Sequence, residues 1–384
     1  MVDFRAMNKL PEFKLERFFG EWEFRARYLL SPSDCESMSV AELLALADED
    51  GARRWRELRL GYTESQGDPT LRAAISEGYT TISAQDVLVA VPEEAIFVAM
   101  QALLSPGQHV ITVHPAYQSL YEVARAIGCQ VSAWPIRPMP GGAGWSFDLD
   151  ELAALIQPET RLLVLNFPHN PTGYLPDRAT LDQILNLAGR YGLTVFSDEM
   201  YRGLELDPAA RLPAVCDLYE NSVSLSGLSK AYGLPGLRLG WLAGRLPDFV
   251  TAALKIKDFT TICHSGPSEV LGLIGLRAGE RLLARNLALV MRNAGLAAAY
   301  FARHPDLFTW YAPQAGSIAF PAWLGPGSVE ALCQAALAQV GLMVVPGSIF
   351  DYAGPHFRVG LGRENFPVAL ALLERVVARV IVSS

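Results

Sequence analysis

Lys230 lies in SGLSKAYGLPGLRLGW (226–241), just past an apolar run and inside a turn rich in Gly and Ser. A lysine in that position reaches the carboxyl end of a sheet, where open α/β sheets bind ligands. Its amine could form a Schiff base with a carbonyl cofactor, which is nucleophilic catalysis by an amine. Ser229 and Arg238 in the same segment could surround an anion. An isolated lysine is nearly always a solvated surface residue, but two further segments argue against that here. TVFSDEMYRG (194–203) carries Asp198 at the end of an apolar run. A carboxylate there is costly unless it has a partner. A protonated ring nitrogen is one such partner; a helix N-cap or a buried salt bridge are others. NFPHNPTG (166–173) ends another apolar run with two Asn, two Pro and a Gly. Such a segment is a rigid turn, either aiming amide side chains into a cleft or serving as a turn and nothing more.

Groups at strand ends need a sheet to position them. Between Asp68 and Gly244 short β-rich runs alternate with amphipathic ones. The predicted strands are VLVAV (87–91), HVITV (109–113), QVSAW (130–134), RLLVLNF (161–167), TVFSD (194–198), SVSLS (222–226) and RLGWLAG (238–244). Helical patterns stand between several of them, at 93–104, 117–128 and 179–192. Alternation of this kind means a mostly parallel sheet covered on both faces, and continuous apolar strands agree with burial on both sides. Past Ser265 the pattern changes. A long helical stretch covers roughly 267–302, followed by short strands in 317–322, 342–347 and 356–362, the pattern of a smaller α+β domain. Ser39 is placed to cap a helix in VAELLALA.

Half of the 384 residues (51%) are hydrophobic, enough for a large core, and the net charge is −8. An acidic surface without clustered Lys and Arg argues against nucleic acid. No stretch approaches the ~20 apolar residues of a membrane span, and the N-terminal residues do not read as a leader. The five cysteines, Cys35, Cys129, Cys216, Cys263 and Cys333, lack metal-type spacing, as do the six histidines. The expectation is reduced thiols, no metal and a cytoplasmic location.

Taken together, the lysine, aspartate and asparagine segments and the trailing HFRVGLGR (356–363) resemble the class I/II aminotransferases, the fold-type I pyridoxal 5'-phosphate (PLP) enzymes, over nearly the whole chain. The resemblance implies a three-layer α/β/α fold with a mostly parallel seven-stranded sheet plus a smaller α+β domain. It divides the chain into an N-terminal segment packing with the small domain (1–50), a large PLP-binding domain (51–265) and a C-terminal small domain (266–384). Carried over by position, Lys230 is the Schiff-base lysine and Asp198 the carboxylate on the pyridine nitrogen. Asn170 and Tyr201 hydrogen-bond the phenolate oxygen, and Asn170 also borders the substrate. Tyr117 stacks on the ring, and Arg238 binds the phosphate. Arg358 clamps the substrate α-carboxylate, which a planar guanidinium matches bidentately. Tyr62 matches a tyrosine that reaches the neighbouring subunit, so the resemblance implies a homodimer.

Two departures concern the phosphate. Pro92 stands in VAVPEEAIF where a Gly-rich turn is common, which assigns phosphate contacts to the backbone amides of Glu93 and Glu94 at a helix N-terminus, with their side chains pointing elsewhere. Gly227 stands where relatives carry Ser or Thr, leaving Ser229 and Ser226 as hydroxyl contacts. A third departure concerns the branch: SPSDCESMSVAELL (31–44), PEEAIF and KDFTTICHSGPSE (257–269) are similar to the capreomycidine synthase-like branch, which includes reactions at the β and γ carbons. The resemblance therefore implies transfer of an α-amino group to a 2-oxo acid. A PLP-dependent lyase, cyclase or oxidase using the same quinonoid intermediate is the alternative, since the chemistry around the cofactor is shared. A non-enzymatic PLP-binding effector domain is a remote third reading, because no helix-turn-helix pattern accompanies it. Phe19, Trp22, Tyr62, Trp134, Phe167 and Phe350 could line a substrate pocket or be ordinary core; the core reading is preferred.

Overall fold

The computed structural model describes residues 10–382; the first nine residues, part of the segment read as lacking a leader, lie outside that range. Seven strands build one sheet: β1 (Val87–Ala90), β2 (His109–His114), β3 (Gln130–Pro135), β4 (Thr160–Asn166), β5 (Thr194–Asp198), β6 (Ser222–Gly227) and β7 (Gly240–Ala243). Their order is β1-β7-β6-β5-β4-β2-β3. β7 runs antiparallel to both of its neighbours, and the other pairs are parallel. Each predicted strand is present. RLGWLAG contributes only its last part, because Arg238 takes a left-handed conformation at φ 52 and the strand begins after it.

Apolar residues alternate between the two faces, as a period of two requires. Val110, Leu162 and Val164 pack with helices α2 (Pro92–Leu103), α3 (Ser119–Ile127) and α5 (Phe249–Lys257), whereas Ile111, Leu163 and Leu165 pack with α4 (Arg178–Arg190). Farther along that second face, Val87, Val89 and Trp241 meet α6 (Gly266–Arg277). The fold is the expected three-layer α/β/α arrangement. An earlier helix, α1 (Lys14–Trp22), packs Leu15, Phe18 and Phe19 with the core that holds Ile111 and Leu165. Among the described residues no helix is long and apolar enough to cross a membrane.

The predicted helical stretch at 267–302 is two helices, not one. α6 ends at Arg277 and α7 runs Gly279–Ala302, with Ala278 between them at φ −87, ψ 10. The break redirects the chain. α6 covers the large sheet, while Val290, Ala297 and Tyr300 of α7 enter a separate core with α8 (Val329–Val340) and α9 (Phe366–Val382). Against this core lies a three-stranded antiparallel sheet, β8 (Ile318–Ala319), β9 (Val345–Pro346) and β10 (Phe357–Gly360), in the order β8-β10-β9. The N-terminal region joins it: Tyr28–Leu29 pairs in parallel with Leu342–Met343. Ser39 caps its helix with a full capping box, its side chain accepting from Glu42 N–H.

The loop after Leu30 lies directly on β10. Gly360 N–H donates to Leu30 O at 2.7 Å, and a Cβ on Gly360 would stand 1.9 Å from the Pro32 carbonyl oxygen. Because that obstacle is backbone, it cannot rotate away. Gly360→Ala is expected to lower unfolding free energy by about 3 kcal/mol, the upper range for overpacking, as measured by urea denaturation. A change below 0.5 kcal/mol, the ordinary scatter of neutral surface changes, would mean that the loop moves freely off the strand.

Candidate active site

Parallel pairing puts the ends of β4, β5 and β6 level, with Asn166 beside Asp198 and Asp198 beside Leu225. A cavity of about 480 Å³ opens at these carboxyl ends, within the size range of small-molecule sites. Lys230 enters it from the turn after β6, and its Nζ donates to Ser33 Oγ at 2.9 Å. Asp198 forms another wall and is only 6% exposed. One oxygen accepts the Met200 N–H at 3.1 Å. Burial raises its carboxyl from the ordinary value to about 7, and nearby Lys230 opposes that rise.

The asparagine turn serves both walls. Asn166 does not line the cavity; its Oδ1 accepts the Asn170 N–H at 2.9 Å and its Nδ2 donates to Asp198 O at 3.1 Å. It thereby ties the turn to the end of β5 and leaves Asn170 facing inward. Arg358 comes from β10 and is 1% exposed. Its Nε donates to Ser31 O at 3.0 Å, its Nη1 to Asn170 Oδ1 at 3.3 Å, and its guanidinium lies over the rings of Phe350 and Phe19 at 5.2 and 5.6 Å. Among the described residues no carboxylate pairs with it. Burial lowers its pKa, so an anionic ligand would relieve a desolvated charge.

Tyr117 lines the cavity near the end of the loop before α3, beside Phe13 at 5.0 Å between ring centroids. Its hydroxyl donates to Glu16 Oε1 at 2.9 Å, and burial raises its pKa, with Glu93 and Glu16 adding to the rise. Tyr201, Ser229 and Arg238 also line the cavity. Ser229 Oγ is buried without a hydrogen-bond partner among the described residues. Arg238 is exposed, at the rim.

Other predicted residues lie elsewhere or turn differently. Ser226 is outside the cavity. Its neighbour Leu225 faces in, so alternation along β6 turns Ser226 to the opposite face. The side chain of Glu94 does point away, as expected: it accepts from Val91 N–H at 3.3 Å, Thr261 N–H at 3.2 Å and Thr261 Oγ at 2.8 Å, and from the Thr260 hydroxyl. Glu93 departs from that expectation. It lines the cavity beside Tyr117, with its carboxyl raised by burial, and the first turn of a helix tolerates an acid there. Tyr62 is 93% exposed and reaches no part of this chain's cavity.

The unusual residues near the phosphate position fit one another. A Cβ on Gly227 would stand 2.9 Å from Gly240 Cα and 3.0 Å from Leu239 O, so a Ser or Thr has no room. A Cβ on Gly240 would meet Pro92 Cγ at 2.8 Å. Glycine at 240 therefore makes space for the proline that opens α2. Behind Pro92 the N–H groups of Glu93 and Glu94 fall in the first helical turn, which has no carbonyl four residues back to bond. These amides, Ser229 and Arg238 match a phosphate; Asp198 matches a protonated pyridine nitrogen; Lys230 supplies the amine. The donor set fits pyridoxal phosphate.

The N-terminal wall went largely unanticipated. Leu15, Glu16, Phe19 and Glu23 from the region of α1, with Ser33 and Asp34, complete the cavity. Of the aromatics considered for a pocket, Phe19 lines it, whereas Trp134, Phe167 and Phe350 are core. The only signal for Glu16 and Glu23 was their spacing with Phe19 along one helix face.

Residues 41–371 match the family model described as aminotransferase class I and II. The chain is 32% identical to capreomycidine synthase of Streptomyces vinaceus over 359 residues, covering 91% of this chain and 89% of that protein. Among solved structures it is similar to a PLP-dependent aminotransferase from Streptococcus suis, with a TM-score of 0.90, 28% identity and coverage of 97% of this chain and 98% of that one. It is also similar to the PLP-dependent cyclase OrfR, with a TM-score of 0.87, 28% identity and coverage of 96% and 97%.

The raised Asp198 carboxyl has a measurable consequence. Between the ordinary value of 3.8 and about 7 the folded chain holds a proton there that the unfolded chain has lost. The stability of the cofactor-free protein therefore falls as pH rises through that window. Glu269, also raised to about 7 by burial, acts in the same direction, so the mutant comparison is the informative one. Asp198→Asn is expected to lose less stability than wild type between pH 5 and pH 8 in urea melts. Equal losses in the two proteins would mean that Asp198 titrates normally.

Proposed function

The chain belongs to the aminotransferase class I and II family, and from that membership we propose which of its residues move the amino group. The enzyme uses pyridoxal phosphate to pass the α-amino group of an amino acid to a 2-oxo acid. Bound PLP supplies a carbonyl that captures an amine and a ring that takes up electrons from the broken Cα–H bond. Lys230 Nζ holds the cofactor between turnovers. With the cofactor bound, Lys230 Nζ would be the base that takes the α proton and the acid that returns one, because it reaches into the same cavity. Asp198 keeps a positive charge on the ring nitrogen, and its buried setting strengthens that pairing. Asn170 and Tyr201 would orient the ring oxygen, Tyr117 would cover a ring face, and the Glu93 and Glu94 amides, Ser229 and Arg238 would hold the phosphate. Arg358 binds the substrate α-carboxylate. That last point is the observation that carries the reading: a fully buried guanidinium, without a carboxylate partner among the described residues, shares one cavity with Lys230 and Asp198.

The similarity to capreomycidine synthase and to a PLP-dependent cyclase, both over nearly all of the chain, favours a second reading, in which the same residues start a cyclisation or elimination. The deciding experiment is to supply single amino acids without an acceptor. Stoichiometric oxo acid with the amino group retained on the cofactor supports transamination; ammonia release or a cyclic product supports the second reading.

A homodimer belongs to this proposal. Leu60, Tyr62 and Phe259 are 87%, 93% and 92% exposed, and a second copy covering them would bring Tyr62 to its neighbour's phosphate. Five free cysteines agree with a reducing compartment, which we take as the cytoplasm. We likewise propose an N-terminal segment (1–50), a large domain and a small domain. The packing of α6 on the large sheet favours a boundary at Ala278 over one at 265.

Lys230→Ala is expected to abolish turnover and the visible band of covalently held cofactor; an undiminished rate would remove Lys230 from the mechanism. Arg358→Lys keeps the charge but loses the planar fork. A charge-assisted hydrogen bond contributes about 1.5–3 kcal/mol, so kcat/KM for the amino acid should fall about ten- to a hundredfold. Steady-state kinetics with an unchanged kcat/KM would place the α-carboxylate elsewhere.

A further inference from the structure

We propose that His264 is a positioning residue for the cofactor phosphate: its ring holds the main chain at Arg238 in the turn that brings the guanidinium to the cavity. The inference rests on the assignment of Arg238 to the phosphate and adds the residue through which that arginine is set.

Arg238 lies between a short helical turn, Pro235–Leu237, and β7, at φ 52, ψ 33. A residue other than glycine in this left-handed region is strained, and it persists only where its surroundings hold it. Its guanidinium lies at the cavity rim, where Nη1 donates to Pro235 O at 3.2 Å, within the same turn. A tie from outside the turn comes from His264, whose Nε2 is 2.9 Å from Arg238 O. A carbonyl oxygen only accepts, so Nε2 carries the hydrogen and donates it. His264 is 7% exposed, and its Nδ1 is buried without a partner among the described residues. Packing alone gives no reason for a histidine here, because the orphaned nitrogen is desolvated with nothing in return. The bond to Arg238 gives one.

The segment that carries His264 is itself fixed at several points. It joins α5 to α6, and Lys257, fully buried at the end of α5, donates to Ile262 O at 3.0 Å and to Ser65 O at 2.9 Å. A buried ammonium is tolerated only when its donors are used. Here they hold Ile262 at φ 65, a second strained position. The hydroxyls of Thr260 and Thr261 donate to the Glu94 carboxylate, that of Thr261 at 2.8 Å, which ties the segment to the first turn of α2. Thr63 Oγ1 donates to His264 O at 2.8 Å, next to Tyr62 in the chain. One short segment therefore bonds Arg238, the α2 turn whose amides are assigned to the phosphate, and the loop that carries Tyr62. A residue anchored in this way can impose a backbone angle on its neighbour.

Holoenzyme is stripped of its cofactor and titrated with pyridoxal phosphate and with pyridoxal, which lacks the phosphate. His264→Ala leaves the carbonyl that Thr63 bonds in place. Its affinity for pyridoxal phosphate should fall about tenfold, as loss of one charge-assisted contact predicts, with pyridoxal affinity changed less than about twofold. His264→Gln can present an Nε2–H to the same carbonyl and should recover most of the loss. A double-mutant cycle separates positioning from general destabilisation: in Arg238→Ala, the further change His264→Ala should lower affinity no more. An unchanged affinity for pyridoxal phosphate, an equal fall for both ligands, or additive losses in the double variant overturns the inference while leaving the assignment of Arg238 standing. If the alanine variant does not fold, His264→Phe, which fills the space without a donor, carries the same comparisons. Arg238→Ala binding both ligands as wild type does removes Arg238 from the phosphate, and the inference falls with it.

Discussion

Two opposite charges are buried at the sheet's carboxyl end, and they are not paired with each other. Asp198 has a backbone amide for company, and Arg358 has a carbonyl and an amide oxygen. In a low-dielectric interior each is costly alone. The fold keeps them because the rest of the structure is arranged around their positions. Asn166 bridges the Asp198 strand to the Asn170 turn, Asn170 touches Arg358, and the loop that follows Leu30 supplies Ser31 to the guanidinium and Ser33 to Lys230. Stability is given up at the site so that a ligand can restore it on binding, which is preorganisation expressed in charges.

The phosphate end shows how a site tolerates departures from a common pattern. Gly227, Gly240 and Pro92 form a chain of close contacts in which each small residue makes room for the next. The hydroxyl missing at 227 could not be accommodated there, and Ser229 presents one two residues later, buried and without a partner among the described residues. Considered singly, Pro92 looks like a lost donor and Gly227 like a lost hydroxyl. In three dimensions they are one adjustment of the β6–β7–α2 junction.

Much of this was legible in sequence because it follows from local rules. Short β-rich apolar runs between helical patterns located the seven strands, and the segments at their ends located Lys230, Asp198 and Asn170. What misled was side-chain direction and tertiary packing. Ser226 stood as a second hydroxyl contact behind Ser229 until its facing along β6 was known. Glu93 was expected to turn from the cavity and does not. The stretch at 267–302 has helical periodicity throughout, and only the change of packing partners at Ala278 divides it. The α1 wall was least legible, since Glu16 and Glu23 carry no motif and reach the cavity through contacts between distant parts of the chain.

The parallel pairing of Tyr28–Leu29 with Leu342–Met343 bears on the order in which the molecule is assembled. A chain leaving the ribosome exposes residue 28 early and its partner only near the end of synthesis. The sheet carrying Asp198 and Lys230 has all of its strands by Ala243, so it can form while Tyr28 and Leu29 still lack a neighbour. Closing so long a loop has an entropic cost that rises only slowly with its length. The delay is therefore one of timing more than of energy. Ser31 and Arg358 meet in that final docking step, so the cofactor half of the cavity can exist before the half that recognises a carboxylate.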